Sequence, residues 1–426
     1  MPTTTRITRR ELLKTAPAAL TLPLWARHST GAEDEVRPKR VAAIVTEYRH
    51  NSHADVILTK ILEGWEHDGG PGPKLELAGA YFDQFPDADM ARSMCTKHNV
   101  PIFDSIESAI TLGTDDIAVD GVICIGEHGD YPWNEKGQHL YPRYRFFTEI
   151  ADTFEKHGRV VPLFNDKHLS TVWEEALAIY ERAKAMNIPF MAGSSIPVSY
   201  RKPAVSIPMH SNVEAVVGVG YSDFDAYAYH ALEFTQCFLE RRRGAETGVE
   251  WVECLQGERM WEAVDSGRVR RDLLDAALQA VPTQENVDMR SLEGREVGLI
   301  LFQYRDGLLG AQFMLSGLAN GIGVAVQLKG KSAPVASYGE ERPEPRYPHF
   351  AFLTKGIEQL MLWGKPVYPV ERTLLTGGIL DRAINSRFED GKRIETPELA
   401  IRYDPVDYPY AQEMDLLDPY LFRDHA

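Results

Sequence analysis

The stretch "RVAAIVTEYRHNSHADVIL", Arg40 to Leu58, sets the reading of the whole chain. Its first seven residues form a short, apolar, β-branched run of the kind that makes a buried strand. From Ser52 the period changes, and Ala54, Ile57, Leu58, Ile61, Leu62 and Trp65 fall on one face of a helix. Ser52, with Asp55 three residues on, has the spacing of a capping box, so the helix should start near His53. A strand that feeds straight into a helix opens a parallel α/β sheet, and that first turn is usually rich in glycine. Here it holds Glu47, Tyr48, Arg49, His50, Asn51, Ser52 and His53, with no glycine at all.

The alternation continues downstream. "KLELAGAYFD", "VPIFD", "VDGVICIG", "VVPLFN" and "IPFMAG" read as strands; "ADMARSMCTKHN", "SIESAITL", "RYRFFTEIADTFEKHG" and "STVWEEALAIYERAKAMN" read as helices, the last with Thr171 and Glu174 placed as a cap. This predicts a Rossmann-like parallel sheet domain over residues 38–195, with helices on both faces. After the Ser- and Pro-rich crossover "SSIPVSYRKPAVSIP" the texture shifts. "REVGLILFQYRDGLLGAQFMLS" alternates around Arg305, Asp306 and Gly307, which is hairpin chemistry. Residues 196–402 are therefore predicted as an α+β domain with a mainly antiparallel open sheet, and residues 403–426 as an aromatic, acidic tail draped on the surface.

Composition narrows the function classes. The chain has 426 residues, 44% hydrophobic and 25% charged, as expected of a globular protein of two domains. With 46 Lys and Arg against 62 Asp and Glu, the net charge of -16 argues against a sequence-independent nucleic-acid binder, which needs a basic face to neutralise phosphates. "TRRELLK", Thr8 to Lys14, followed by the apolar "TAPAALTLPLW", carries the twin-arginine pattern. That run is too short to span a bilayer. Residues 1–32 are thus expected to be a twin-arginine signal peptide, the mature protein to be periplasmic or otherwise exported, and no membrane association is expected after removal of the signal. Cys95, Cys124, Cys237 and Cys254 show no C-x-x-C spacing and read as buried apolar residues, with room for one bridge.

In an open parallel sheet, ligands bind beyond the carboxyl ends of the strands. Those ends carry Glu47, His50 and His53, then Asp83, then Glu127, His128 and Asp130, then Asn165, Asp166, Lys167 and His168. So many ionisable groups on one predicted edge point to a shared site.

At "VPLFNDKHLSTVWEEALAIYERAKAMNIPFMAGSS" the chain resembles the Gfo/Idh/MocA superfamily of glucose-fructose and inositol oxidoreductases, whose strand ending in Glu-Lys-Pro is here Asp166-Lys167-His168. "LELAGAYFDQFPDADMARSMCTKHNVPIFDSIESAI", "VDGVICIGEHGDYP", "YAYHALEFTQCFLE" and "ERTLLTGGILDRAINSRFEDGKRI" extend the resemblance over most of residues 38–402. The resemblance implies hydride transfer between a sugar or polyol and a tightly bound NAD or NADP. It implies Lys167 at the substrate hydroxyl, His230 as general acid/base and Asp166 beside them. It also implies a homo-oligomer assembled through the open face of the second sheet.

Three departures stand out: the missing glycine fingerprint, His168 in place of proline, and Ala226 where an acid is expected, with Asp225 one place away. Two readings of the first loop follow. In one, a dinucleotide is held by Arg49 or His50, the helix start at Ser52 and His53, Asp83 at the ribose, and Glu127, His128 and Asn165 along the edge. In the other, no nucleotide binds, and His50, His53, Glu127, His128 and His168 form a divalent metal or sugar site for a carbohydrate lyase, hydratase or isomerase. A non-catalytic carbohydrate binder would need aromatic platforms, for which Trp133, Tyr141 and Tyr144 are the candidates.

Overall fold

The computed structural model describes residues 36–421. The twin-arginine segment lies outside the described residues. From Arg37 onward the chain clusters as one compact unit built on two sheets.

The first half runs β1 (Lys39–Val45), α1 (His53–Glu63), β2 (Leu75–Phe82), α2 (Ala91–His98), β3 (Ile102–Phe103), α3 (Ile106–Thr111), β4 (Gly121–Ile125), α4 (Arg143–His157), β5 (Leu163–Asp166), α5 (Trp173–Ala185) and β6 (Phe190–Gly193). All neighbouring strands are parallel, in the order β3-β2-β1-β4-β5-β6. This is the doubly wound arrangement, in which the order reverses beside β1. The helix starts at His53 because the Ser52 side chain accepts from the Asp55 amide. The expected cap of α5 differs: α5 begins at Trp173, and the Ser170 hydroxyl accepts from the Val172 amide while donating to Glu175. Thr171 instead donates to the His139 carbonyl and ties down a loop of the site.

The second half runs β7 (Tyr200–Lys202), β8 (Val213–Gly220), α6 (Ala226–Leu239), β9 (Val249–Leu255), α7 (Glu258–Asp265), α8 (Arg271–Ala280), β10 (Val297–Tyr304), β11 (Leu309–Leu315), β12 (Ile322–Leu328), β13 (Val335–Glu340), α9 (His349–Trp363), α10 (Val370–Phe388) and β14 (Ile394–Glu395). Its eight strands pair antiparallel except β11 with β8. Helix α6 packs on one face; α7 and α8 bury Trp261, Leu273 and Leu274 against Val219, Leu299 and Phe313 on the other. Among the described residues no helix is long and apolar enough to cross a membrane. All four cysteines are buried and free.

The late segment is not merely draped on the surface. Arg372 of α10, fully buried, faces Glu240 at 3.5 Å and Glu233 at 3.8 Å, lies over the Tyr368 ring and donates to the Tyr408 hydroxyl. Tyr403 donates to Glu240 at 2.9 Å. The segment 403–408 thus gives a buried guanidinium one hydrogen-bond acceptor and its carboxylate neighbour Glu240 one donor, a need invisible to hydrophobic periodicity.

Gly193, at the end of β6, joins the two halves. Its φ of +135° is open only to glycine, and a Cβ there would collide with the Glu233 carboxylate, which accepts from the Ser194 amide and hydroxyl. Gly193→Ala should lower stability by about 1–3 kcal/mol, read as a fall in the denaturant midpoint with an unchanged slope. An unaltered midpoint would refute this account of the turn.

Candidate active site

A cavity of about 510 Å³ opens where the ends of β1, β4 and β5 meet the start of α6 and the loop before α9. At its base the backbone is left-handed at Lys167, φ +67°, and the Lys167 amide donates to the Gly193 carbonyl at 3.0 Å. This turn sends the Lys167 ammonium across to His230 on α6, with Nζ 2.6 Å from Nε2, and leaves it 3.5 Å from Glu127.

Glu127 follows β4 and is clamped by Arg143, the first residue of α4. Burial alone would raise its pKa; the charges of Lys167 and Arg143 outweigh that and hold it well below the usual carboxylate range. Gly126 makes the approach feasible, since a Cβ there would stand 2.8 Å from the Arg143 side chain. Burial, then the Lys167 charge, drives His230 well below the usual imidazole range. Neutral His230 therefore accepts the lysine proton at Nε2 and carries its own on Nδ1. Its Nδ1 has no partner among the described residues.

Asp166, fully buried, meets His53 Nδ1 at 2.6 Å; its other oxygen is unpartnered among the described residues. The His53 ring packs edge-on against His128 and Phe350. Burial, reinforced by the His53 charge, pushes His128 down to about 3, and its Nδ1 lies 3.3 Å from Arg49. His168 is also neutral, pushed down by burial and Arg143, and sits behind the pocket against Arg143 at 3.2 Å and the Tyr229 ring.

Of the residues singled out in the sequence, Arg49, His53, Glu127, His128, Trp133, Tyr141, Lys167, Asp225 and His230 line the cavity, with Asp166 directly behind His53. His50, Ser52, Asp83 and Asn165 do not. His50 is 62% exposed and turned toward Asp55. Ser52 is used as the helix cap, and Asn165 donates to the Asp166 and His168 carbonyls to hold the turn. Among the described residues no group of three or more His, Cys, Asp or Glu is arranged to hold a metal ion, so the metal reading of His50, His53, Glu127, His128 and His168 is not what the fold assembles.

Asp83 is committed elsewhere. Its carboxylate takes hydrogen bonds from Tyr81, Tyr131 and Arg145, at 2.7, 2.7 and 2.6 Å. Burial would raise its pKa, and these bonds more than reverse the effect. The Gln84 side chain bonds Asp130 through both its amide and its carbonyl, closing the β2 and β4 loops on each other. The edge thus has two characters. Near Lys167 and His230 it offers a roomy acid–base pocket suited to the reactive end of a dinucleotide and its substrate. Near Asp83 it offers Tyr131 and Arg145 where a free acid and a glycine turn would be expected.

Residues not foreseen complete the pocket: Tyr227 in the first turn of α6, His139 from the loop after β4, and Glu341, Tyr347 and His349 around the start of α9. Burial raises Glu341, which accepts from Tyr221 at 2.8 Å. A larger hollow of about 650 Å³ beside α10 is lined by charges such as Glu174, Arg382 and Glu395 and holds none of the candidates.

Solved structures share this two-sheet architecture. GenD2 from gentamicin A biosynthesis, in complex with NAD, superposes with a TM-score of 0.54 at 12% identity, over 84% of this chain and 97% of that one. A putative myo-inositol dehydrogenase from Sinorhizobium meliloti 1021 gives 0.52 at 14%, over 84% and 99%. Myo-inositol dehydrogenase from Lactobacillus casei, in complex with NAD(H) and myo-inositol, gives 0.54 at 10%, over 84% and 96%. The chain thus has the fold of the Gfo/Idh/MocA-type oxidoreductases. No protein-family model matches the chain, and no curated protein matches it in sequence.

Asp225 gives a direct test of the electrostatics. It is 6% exposed, accepts the His139 amide at 2.8 Å, and burial pushes its pKa from 3.8 up to about 6. Between those values the folded state holds more protons than the unfolded one, so stability falls as pH rises through the window. At neutral pH the ionised group costs about 3 kcal/mol. Asp225→Asn should therefore raise Tm at pH 7.5 and leave it nearly unchanged at pH 4; equal shifts at both values would contradict the assignment.

Proposed function

We propose that this protein is an oxidoreductase acting on a sugar or polyol through a tightly bound NAD or NADP. The observation that carries the reading is the Lys167–His230 contact at the carboxyl edge of a parallel sheet, inside a cavity of small-molecule size. The fold shared with NAD-bound and inositol-bound proteins supports it.

The chemistry follows from the protonation states. Oxidation of a carbinol carbon requires the hydroxyl proton to leave as hydride is lost, and a neutral imidazole is the base for that proton. His230 is neutral and its Nε2 accepts from Lys167, so the hydroxyl proton passes to Lys167 as the lysine ammonium hands one of its own protons to Nε2. Lys167 places its positive charge where the alkoxide develops, and Glu127 with Arg143 fixes that charge in position. A nicotinamide dinucleotide, when bound, supplies the hydride acceptor. Arg49 and the first turn of α1 are the groups that would hold its phosphates.

One observation favours a second reading, acid–base chemistry such as elimination or isomerisation without a dinucleotide. Asp83, the ribose acid of the fold, is already saturated by Tyr81, Tyr131 and Arg145. The order "TRRELLK" before an apolar run supports export through the twin-arginine route under either reading.

Gently purified protein, denatured and assayed for released NAD(H) and NADP(H), separates the two. Near-stoichiometric dinucleotide supports the oxidoreductase; turnover of a sugar by protein lacking it supports the second reading. Lys167→Ala and His230→Ala should each cut kcat/KM by about 10²–10⁴ while the fold survives. A loss of folding with both variants would instead mark the pair as structural.

A further inference from the structure

We propose that the pocket continues into a second saccharide subsite floored by Trp133, so that the substrate is a glycoside or oligosaccharide and not a free monosaccharide. The proposal rests on reading the main cavity as a sugar or polyol site.

Trp133 is 60% exposed, unusual for so large an apolar ring. It is also held in place. Its ring stacks on His139 at 4.2 Å and 20°, and His139 in turn lies 4.1 Å from Tyr141. The hairpin beneath is pinned by Asn134 to Gln138 at 2.9 Å and by Gln138 to the Thr171 carbonyl at 3.0 Å. An exposed aromatic face on a fixed support suits the C–H face of a pyranose ring, because little side-chain freedom is lost on binding.

The space around it has two chambers. The main cavity and a neighbouring one of about 380 Å³ are both lined by Trp133, Asp223 and Asp225, so they meet at this ring. Asp225 is buried, and one of its oxygens has no hydrogen-bond partner among the described residues, leaving an acceptor at the junction. The far chamber ends on Arg295, Arg387 and the half-exposed Phe388. Aromatic faces flanked by guanidinium and carboxylate groups are the chemistry that binds a ring with apolar faces and hydroxyl edges. An adenine ring would be the rival occupant. The far chamber takes no residue from the β1 or β2 edges, where the nucleotide half of this fold lies.

Calorimetric titration of the full mature chain with myo-inositol, common hexoses, a panel of α- and β-linked hexose disaccharides, and NAD tests the idea. At least one disaccharide should bind about tenfold or more tightly than either of its component monosaccharides. Trp133→Ala should collapse that disaccharide-to-monosaccharide ratio to about one, both affinities being read on the same variant, and Trp133→Tyr should retain most of it. The proposal is overturned if no saccharide binds, if no disaccharide exceeds its components, or if Trp133→Ala weakens NAD instead. Saccharide binding without any dinucleotide affinity would overturn only the oxidoreductase reading.

Discussion

Glu127 sits almost without solvent between two cations, Arg143 and Lys167, and the site is arranged around that fact. A buried carboxylate is tolerated only when its charge is matched and its oxygens are bonded. Matching it requires Arg143 to enter beneath Gly126, which places the start of α4. It also requires Lys167 to turn back through a left-handed backbone against Gly193, which places the lysine beside α6. Burial, with that same positive charge beside it, keeps His230 neutral. One carboxylate therefore sets the position of a helix and the shape of a turn.

Much of this was readable in the sequence, and the limits of that reading are physical. The strand-to-helix transition at Ser52 follows from a change in apolar period plus a short polar side chain, and the fold obeys both. The strand-end rule placed Glu127, His128 and Lys167 on one edge because parallel strands end on one side. It erred at His50 because i, i+3 spacing brings two side chains together only within a helix, and His50 precedes the cap. Arg143 was hidden as a cation at a helix start, where periodicity assigns it to solvent. Glu341 and His349 come from a loop far along the chain, and no local pattern announces a contact made only when the two sheets meet.

The loop after β4 has two jobs. Through Tyr131 and Asp130 it closes the β2 edge, and through Trp133, His139 and Tyr141 it walls the cavity. The β2 edge and the cavity wall therefore share one stretch of backbone. Displacing Tyr131 from Asp83 would be felt at Trp133, since His139 also bonds the Tyr131 carbonyl at 3.0 Å.

The link between Arg372 and the tyrosines of residues 403–408 constrains how the molecule comes into being on the ribosome. Until those residues emerge, a growing chain that packs α10 against α6 must bury a guanidinium without the Tyr408 hydroxyl and a carboxylate, Glu240, without its Tyr403 donor. The join between the two sheets is thereby made unfavourable early and favourable late. The last stretch of chain is therefore part of the joint between the two sheets, and the hydrogen bonds of that joint are complete only once it is in place.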